Sequence, residues 1–208
     1  MPCPHFRLRA MEAELLLATN NKGKLNEYRE LLAGCGFRLV TPSDKGIVTE
    51  VAETGNSFAD NAALKARALA KASGLLTLAD DSGLEVDALG GEPGVRSARY
   101  AGDNATDTGR IDLLLRRLET VPVGKRTARF RCVIAIATPT GQVKFAEGKI
   151  EGLISLAPQG RHGFGYDPVF FLQELGKTMA EIAPKEKNHI SHRALAAADA
   201  CLILKDLK

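Results

Sequence analysis

The 208-residue sequence contains no tryptophan, and aromatic residues make up only 5% of it. Proteins that bind long single strands of nucleic acid stack bases on aromatic side chains, so the sequence disfavours that class. Lysine and arginine number 28 against 25 aspartates and glutamates, and one basic pocket could account for the net charge of +3. No apolar run approaches the length of a membrane span. With 45% hydrophobic residues, the composition is that of a globular protein.

The sequence also lacks any clustered set of metal-binding cysteines or histidines. The four cysteines are widely separated and none has the C-x-x-C spacing of a zinc or redox site; they are Cys3, Cys35, Cys132 and Cys201. We therefore expect reduced thiols in a cytoplasmic protein. Residues 1–10 have no hydrophobic stretch and do not form a secretory signal. We expect them to be an N-terminal extension, with Met11 as an alternative start, and residues 11–208 to form the domain.

Hydrophobic periodicity predicts helices that alternate with strands. Ser57 is placed to cap a helix that runs to about Ser73, and two alternating segments predict a long antiparallel hairpin. The predicted strands are Glu14–Ala18, Phe37–Val40, Leu75–Ala79, Thr127–Ala137, Val143–Ile154 and Val169–Phe171. Further helices are predicted after Lys24, over Asp107–Leu118 and from Ser191. The pattern predicts an α/β fold with a mixed sheet, in which two lobes could meet at a cleft.

The segment Thr19–Lys24 (TNNKGK) lies between a predicted strand and the N-terminus of a predicted helix. Unpaired backbone N–H groups and the helix dipole favour an anion at such a point, and Lys24 adds a positive charge. The spacing of its glycine and lysine is not that of a P-loop. The segment is therefore either a phosphate site or an ordinary polar turn.

A pair of carboxylates, Asp80 and Asp81, follows the predicted strand at Ala79. Open α/β sheets bind ligands at the carboxyl ends of their strands. Neighbouring strand residues point to opposite faces, so only one of the pair is expected to face a site. The alternative is that both carboxylates cap a turn through Ser82 and Gly83.

A second polar group precedes this pair in the sequence. Asn61 and Lys65 are four residues apart on one helical face, and Glu53 lies just before that helix. Carboxylate oxygens in a chain with few histidines favour Mg²⁺ over zinc. Taken by itself, a face with asparagine and lysine is also typical of a solvated helix.

The C-terminal part of the sequence contains Phe164–Asp167 (FGYD), Lys187 and Ser191–Arg193 (SHR). A glycine between two aromatic residues can expose ring faces to a flat ligand, and lysine or arginine can bind a phosphate or a base carbonyl. Alternatively, Phe164 and Tyr166 belong to the core, and the histidine and arginine form an exposed first helical turn.

Together, these segments resemble the inosine/xanthosine triphosphate pyrophosphatases, a family of non-canonical purine nucleotide hydrolases. The matching segments read ATNNKGK, ETGNSFADNAALKA, LADDSGLEVDALGGEPGVRSARYAG, GFGYDPVFF and KNHISHRAL. They follow the family's order and spacing from Leu15 to about Lys205. Asn20 stands where many relatives carry glycine, and asparagine tolerates a left-handed backbone better than most residues.

The resemblance implies a role for each matching residue. Glu53 and Asp81 would hold Mg²⁺, for which Mn²⁺ could substitute, and Asp81 would accept a proton from the attacking water. The triphosphate and sugar would contact Thr19, Asn20, Asn21, Lys22, Gly23 and Lys24, while Lys65 and Ser82 would line the phosphate path. The base pocket would consist of Phe164, Gly165, Tyr166, Asp167, Lys187, His192 and Arg193.

The resemblance further implies an elongated single domain of two lobes around a twisted central sheet, with a cleft between the lobes, and a homodimer. The implied reaction converts ITP, dITP or XTP to the monophosphate and pyrophosphate, without nucleic-acid or membrane partners. Three alternatives stay open: a pyrimidine nucleotide pyrophosphatase of the septum-inhibitor family, a non-catalytic nucleotide sensor, and a nucleic-acid-binding module.

Overall fold

The computed structural model describes residues 13–49 and 51–207; the expected extension 1–10 and Met11 lie outside the described residues. That part of the chain forms one mixed seven-stranded sheet with the order β2-β1-β3-β4-β5-β6-β7. The strands are β1 Glu14–Leu17, β2 Arg38–Val40, β3 Leu76–Val86, β4 Thr127–Ala137, β5 Val143–Ile154, β6 Phe170–Leu172 and β7 Lys177–Thr178. The helices are α1 Lys22–Leu31, α2 Phe58–Ser73, α3 Asp107–Arg117, α4 Pro184–Ile190 and α5 His192–Lys205. The predicted α/β class is confirmed.

Helix α2 begins and ends where its sequence predicts. The Ser57 side chain accepts a hydrogen bond from the Asp60 backbone N–H, and Gly74 ends the helix with a left-handed φ of 69°. Its apolar stripe is buried against the sheet and comprises Phe58, Ala62, Ala66 and Leu69. The helix therefore fixes its polar face, which carries Lys65, relative to β3.

The long hairpin of β4 and β5 has the predicted bounds and orientation. Alternate residues of β4 from Ala128 to Ile136 are buried, whereas Arg129 and Arg131 lie on the other face. Both arginines form ion pairs with Glu85 of β3 there. Because β4 pairs with β3 from Thr77 to Val86, the hairpin provides a rigid backing for the middle of β3.

Two apolar cores lie on either side of a pocket. One lies under α2 and includes Leu16, Ala62 and Ala79, while the other lies near α3 and includes Ile111 and Val169. Residues from both cores line the pocket between them; they are Ala18 and Leu69 from the first, and Leu84, Phe130 and Tyr166 from the second. This arrangement confirms the predicted cleft between two lobes.

Strand β3 is longer than predicted. The sequence places its end at Ala79, because the polar run Asp80–Gly83 looks like a turn. In the structure β3 continues to Val86, since β4 supplies a partner along this whole stretch. The short elements α4 and β7 were not predicted either, because each offers too few residues for a periodic pattern.

The expectation that all cysteines are reduced thiols is wrong for one pair. Cys35, in the turn between α1 and β2, forms a disulfide with Cys201 of α5, and their Cα atoms are 5.4 Å apart. Cys132 remains a free, buried thiol. The sequence separation of 166 residues hides the pair, because only the packing of α1 against α5 brings the two side chains together.

Loss of this disulfide should lower stability. Closing so long a loop restricts the unfolded chain, so its removal is expected to cost about 5 kcal/mol in the free energy of unfolding and roughly 10–20 °C in Tm. Thermal unfolding of the wild type and of the Cys35→Ser/Cys201→Ser variant, each with and without reductant, measures this. The expected control result is that reductant leaves the Tm of the double variant unchanged. An equal number of reactive thiols in denatured wild type before and after reduction would contradict the disulfide.

Candidate active site

A pocket of about 880 Å³ opens where β1 ends and β3 continues past it. Every residue that the resemblance assigned to substrate or metal lines this pocket. The structure therefore brings together five segments that lie as far as 174 residues apart, from Thr19 to Arg193. Asp80 and Asn61 lie behind the wall and do not line it.

The TNNKGK segment forms the start of α1 at one end of the pocket. The Asn21 side chain caps the helix by accepting a hydrogen bond from the Lys24 N–H at 3.1 Å. Gly23 has no room for a side chain, because a Cβ atom there would lie 2.6 Å from the ring of Phe164. Only glycines have a positive φ among the described residues, so Asn20 does not use the left-handed conformation.

The two neighbouring aspartates of β3 have different surroundings, as their alternation predicts. Asp80 is buried, and its Oδ2 lies 2.8 Å from Lys24 Nζ and 3.7 Å from an Arg193 nitrogen. Burial alone would raise the Asp80 pKa, but the charges of Lys24 and Arg193 hold it well below its usual value. Asp81 instead lines the pocket, whereas Asp80 is the buried ion-pair partner of Lys24.

Asp81 is held by two hydrogen bonds, one to each carboxylate oxygen. Asn61 Nδ2 donates to Oδ2 at 3.0 Å, and the Ser82 backbone N–H donates to Oδ1 at 3.0 Å. Asn61 is fully buried, so the alternative of a solvated α2 face is wrong at this position. Burial raises the Asp81 pKa despite the nearby Lys65, and the charge of Glu53 raises it further. The carboxylates of Asp81 and Glu53 are therefore close enough to interact electrostatically.

Glu53 lies in the irregular segment before α2 and is fixed by cations. Lys65 Nζ donates to Glu53 Oε1 and to the Asp80 carbonyl oxygen, both at 2.7 Å. Arg99 lies on the other side, 3.6 Å from Glu53 Oε2. Burial would raise the Glu53 pKa, but Lys65, Lys24 and Arg99 lower it. Glu53 is thus ionised at neutral pH.

The donor set suits a hard cation with an incomplete protein coordination shell. Within residues 13–49 and 51–207, no group of three or more histidines, cysteines, aspartates or glutamates could hold a metal ion. Glu53 and Asp81 provide two carboxylates that face the pocket. Magnesium in nucleotide enzymes is often held by one or two carboxylates, with the remaining positions filled by water and substrate phosphates. The residues fit Mg²⁺ on this ground.

The opposite end of the pocket contains a buried network of opposite charges. Lys187 Nζ lies 2.6 Å from Asp167 Oδ2 and 2.9 Å from Glu27 Oε1, and Glu27 Oε2 lies 2.5 Å from Arg193 Nη1. Glu27 was not predicted as a site residue. The sequence signal for Glu27 is its position three residues after Lys24 on α1, because residues i and i+3 lie on the same face of a helix.

Arg193 is only 2% exposed, so the alternative of an exposed first helical turn is wrong. Its second Nη nitrogen donates to Ser82 Oγ at 2.9 Å. The Phe164 ring covers the cations, with its centroid 5.0 Å from Lys187 Nζ and 5.5 Å from the Arg193 guanidinium carbon. Tyr166 is buried and donates its hydroxyl hydrogen to the Ser97 carbonyl, so only Phe164 offers a partly accessible ring.

The backbone N–H groups of Phe164 and Gly165 are both paired with carboxylates and are not free donors. The Phe164 N–H donates to Asp167 Oδ2 at 2.9 Å, and the Gly165 N–H donates to Asp107 Oδ2 at 2.7 Å. The sequence did not reveal this, because Asp107 reaches the loop from the first turn of α3. At this end of the pocket, Lys187 and Arg193 are therefore the candidate donors to a ligand.

His192 is buried in the pocket wall and stacks on Phe130, with ring centroids 4.8 Å apart. Burial, together with the charges of Arg193 and Lys187, lowers the His192 pKa well below its usual value. The imidazole is therefore neutral at pH 7, and it serves as a flat polar wall.

This pKa shift should make stability depend on pH. Below the unfolded value of about 6.5 the unfolded chain binds a proton that the folded chain does not, so stability is lost as the pH falls. We expect a loss of up to about 1.4 kcal/mol per pH unit between pH 6.5 and 5.5. Denaturant unfolding at several pH values measures the slope, and the His192→Gln variant should show a shallower one. Equal slopes in the two proteins would contradict a neutral buried imidazole.

Comparison with known proteins shows the family to which this chain belongs. The model of the Ham1 family matches residues 15–201. A dITP/XTP pyrophosphatase of Desulforamulus reducens is 54% identical over 93% of this chain and 96% of the relative. The corresponding protein of Geobacillus kaustophilus is 52% identical over 88% of this chain and 90% of the relative. The solved structure of a HAM1 protein from Coxiella burnetii superposes with a TM-score of 0.86 at 42% identity, covering 93% of this chain and 99% of that one. The chain belongs to the Ham1 family.

Proposed function

We propose that this protein hydrolyses the non-canonical purine nucleotides ITP, dITP and XTP to the monophosphate and pyrophosphate, and so removes them from the nucleotide pool. The observation that carries the proposal is the division of one pocket into two chemically distinct ends. Carboxylates and lysines at one end suit a metal-bound triphosphate, while an aromatic ring over buried cations at the other end suits an oxo-purine. Relatives that share about half of the sequence are named dITP/XTP pyrophosphatases.

The start of α1 would bind the phosphates. Its exposed N–H groups and helix dipole attract anions, and the glycine at position 23 keeps the backbone accessible. Lys24 and Lys65 would reduce the repulsion between the triphosphate and a nucleophile. Both lysines are already fixed by Asp80, through its side chain and its carbonyl respectively, so little ordering is needed when the substrate binds.

Glu53 and Asp81 would hold Mg²⁺, or Mn²⁺ in its place, which when bound supplies Lewis-acid stabilisation of charge on the phosphates. Asp81 would also accept the proton of the water that attacks the α-phosphorus. Its raised pKa suits it to that task better than Asp80, whose pKa is held low by Lys24 and Arg193. Ser82 would donate a hydrogen bond to a phosphate from the adjacent position.

Base selection would depend on Lys187 and Arg193. Both are cations in a buried network, and both can donate to a 6-oxo group, which hypoxanthine and xanthine carry. Phe164 would stack on the purine ring. Adenine presents a donor at the same position, so donor would meet donor and buried groups would lose partners.

A metal-dependent release of pyrophosphate tests this function. With ITP and Mg²⁺, the first phosphorus-containing product released should be pyrophosphate. No orthophosphate should form unless inorganic pyrophosphatase is added to the assay. Excess EDTA should remove the activity, and Mg²⁺ or Mn²⁺ should restore it. Full activity in EDTA, or orthophosphate as the first product, would contradict the proposal. Binding of ITP without any turnover would instead identify a nucleotide sensor.

The cellular setting belongs to the same proposal. Nucleotide pools are cytoplasmic, and we place the enzyme there as a homodimer. No described helix is long and apolar enough to cross a membrane. A reducing cytoplasm opposes the Cys35–Cys201 disulfide, so thiol trapping in intact cells tests the compartment. Sedimentation equilibrium tests the dimer.

A further inference from the structure

Ser82 lies at the junction of the two ends of the pocket. Its hydroxyl oxygen accepts a hydrogen bond from Arg193 at 2.9 Å, and its backbone N–H donates to Asp81 at 3.0 Å. One residue therefore contacts both the cation proposed to bind the nucleobase and the carboxylate proposed to activate water. The strand β3 holds it rigidly between them.

Arg193 cannot move independently of its surroundings. It is 2% exposed, its other Nη nitrogen is paired with Glu27, and it lies in the first turn of α5. Gly148 of β5 lets this turn pack directly on the sheet, since a Cβ atom there would collide with the His192 carbonyl. Because this region is closely packed, any movement of the Arg193 guanidinium also moves the groups in contact with it.

The hydroxyl of Ser82 has one hydrogen to donate. Because its oxygen already accepts from Arg193, that hydrogen is directed away from the arginine. Within residues 13–49 and 51–207 the hydroxyl makes no other hydrogen bond, and Ser82 lines the pocket beside Asp81. The hydroxyl hydrogen is therefore free to donate to a ligand in the pocket.

We propose that Ser82 is a specificity-determining residue that couples recognition of the nucleobase to alignment of the phosphate. When Arg193 pairs with a 6-oxo purine that fits, it holds Ser82 with the hydroxyl directed at the phosphate next to Asp81. A purine that fits poorly displaces the arginine, and the hydroxyl loses this alignment. Discrimination then appears in kcat rather than in KM, because a misaligned phosphate slows the chemical step without weakening the binding of the substrate.

A second route connects the same two ends, from Arg193 through Asp80 to Lys24. On this route, Arg193 Nη2 lies 3.7 Å from Asp80 Oδ2, whereas the same nitrogen lies 2.9 Å from Ser82 Oγ. Asp80 also does not line the pocket, whereas Ser82 does. The shorter contact and the accessible hydroxyl assign the coupling to Ser82.

The test compares the wild type with Ser82→Ala and Ser82→Thr, where threonine keeps the hydroxyl. Initial rates with ITP and with GTP give kcat and KM for each protein, and circular dichroism and Tm check the fold. We expect Ser82→Ala to lower kcat for ITP about tenfold, the typical effect of one hydrogen bond to a charged group. The kcat for GTP should change less than about twofold, the ratio of KM values should stay the same, and threonine should restore the preference.

The inference rests on the proposed function, and the two can fail separately. Equal loss of kcat for ITP and GTP in Ser82→Ala would make Ser82 a simple phosphate donor and overturn the coupling. Unchanged kcat for ITP would overturn it as well. A wild type that releases pyrophosphate equally fast from ITP and GTP would instead contradict the proposed selectivity, before any variant is made.

Discussion

Replacing Asp81 with asparagine is expected to remove nearly all turnover while the fold persists. The change keeps the shape of the side chain but removes its charge, and with it the proposed proton acceptor and one metal ligand. Loss of a general base alone costs typically 10²–10⁴-fold in rate, and loss of the metal ligand adds to this. Asparagine keeps only one acceptor for the two donors, Asn61 and the Ser82 N–H, so stability should fall by only about 1 kcal/mol.

Steady-state rates of pyrophosphate release, together with circular dichroism, measure both effects. Asp199→Asn is a matched control, because it makes the same chemical change at an exposed position of α5. It should leave the rate and the fold unchanged. Turnover of Asp81→Asn near that of the wild type would show that another carboxylate activates the water, and Asp80 would be the next residue to test.

The second large effect is expected in the choice of purine. We expect kcat/KM for ITP and XTP to exceed that for GTP by at least about 100-fold, or roughly 2.7 kcal/mol. Guanine keeps the 6-oxo group, so its exclusion must depend on the 2-amino donor. The carboxylates near Lys187 and Arg193 are Asp167, Glu27 and Asp80, and each is already paired with a lysine or an arginine. The 2-amino group of guanine would therefore have to compete with the lysines and arginine for these carboxylate oxygens. The 2-oxo group of xanthine is an acceptor and does not compete for them.

The measurement is kcat/KM for ITP, dITP, XTP, GTP and ATP at one magnesium concentration. A value for GTP comparable with that for ITP would leave a general nucleotide pyrophosphatase and remove the proposed role in cleaning the nucleotide pool. Faster turnover of dTTP or UTP than of ITP would revive the pyrimidine alternative.

The sequence predicted the parts of the fold that local patterns determine. The caps of α2 at Ser57 and Gly74, and the alternation in β4, depend on neighbours within a few residues, and both were confirmed. The gathering of the site residues in one pocket was predicted through the resemblance, since spacing alone left each motif with an ordinary structural alternative.

What the sequence did not predict depends on contacts between distant residues. The continuation of β3 past Ala79 needs β4 as a partner, and the Cys35–Cys201 disulfide needs α1 packed beside α5. Glu27 shares a helical face with Lys24, but its pairing with Lys187 and Arg193 is seen only in the structure. None of these contacts leaves a periodic or spaced signature in the sequence.

The unequal lengths of β1 and β3 also bear on self-association. β1 ends at Leu17, opposite Leu78, so β3 has an unpaired edge from Ala79 to Leu84. Such edges invite a strand from another molecule and so promote aggregation. Here side chains occupy the edge, since Lys65 donates to the Asp80 carbonyl and Ser97 accepts from the Leu84 N–H. These contacts oppose pairing of a foreign strand at this edge, so Lys65 covers the open edge of β3 as well as contacting Glu53.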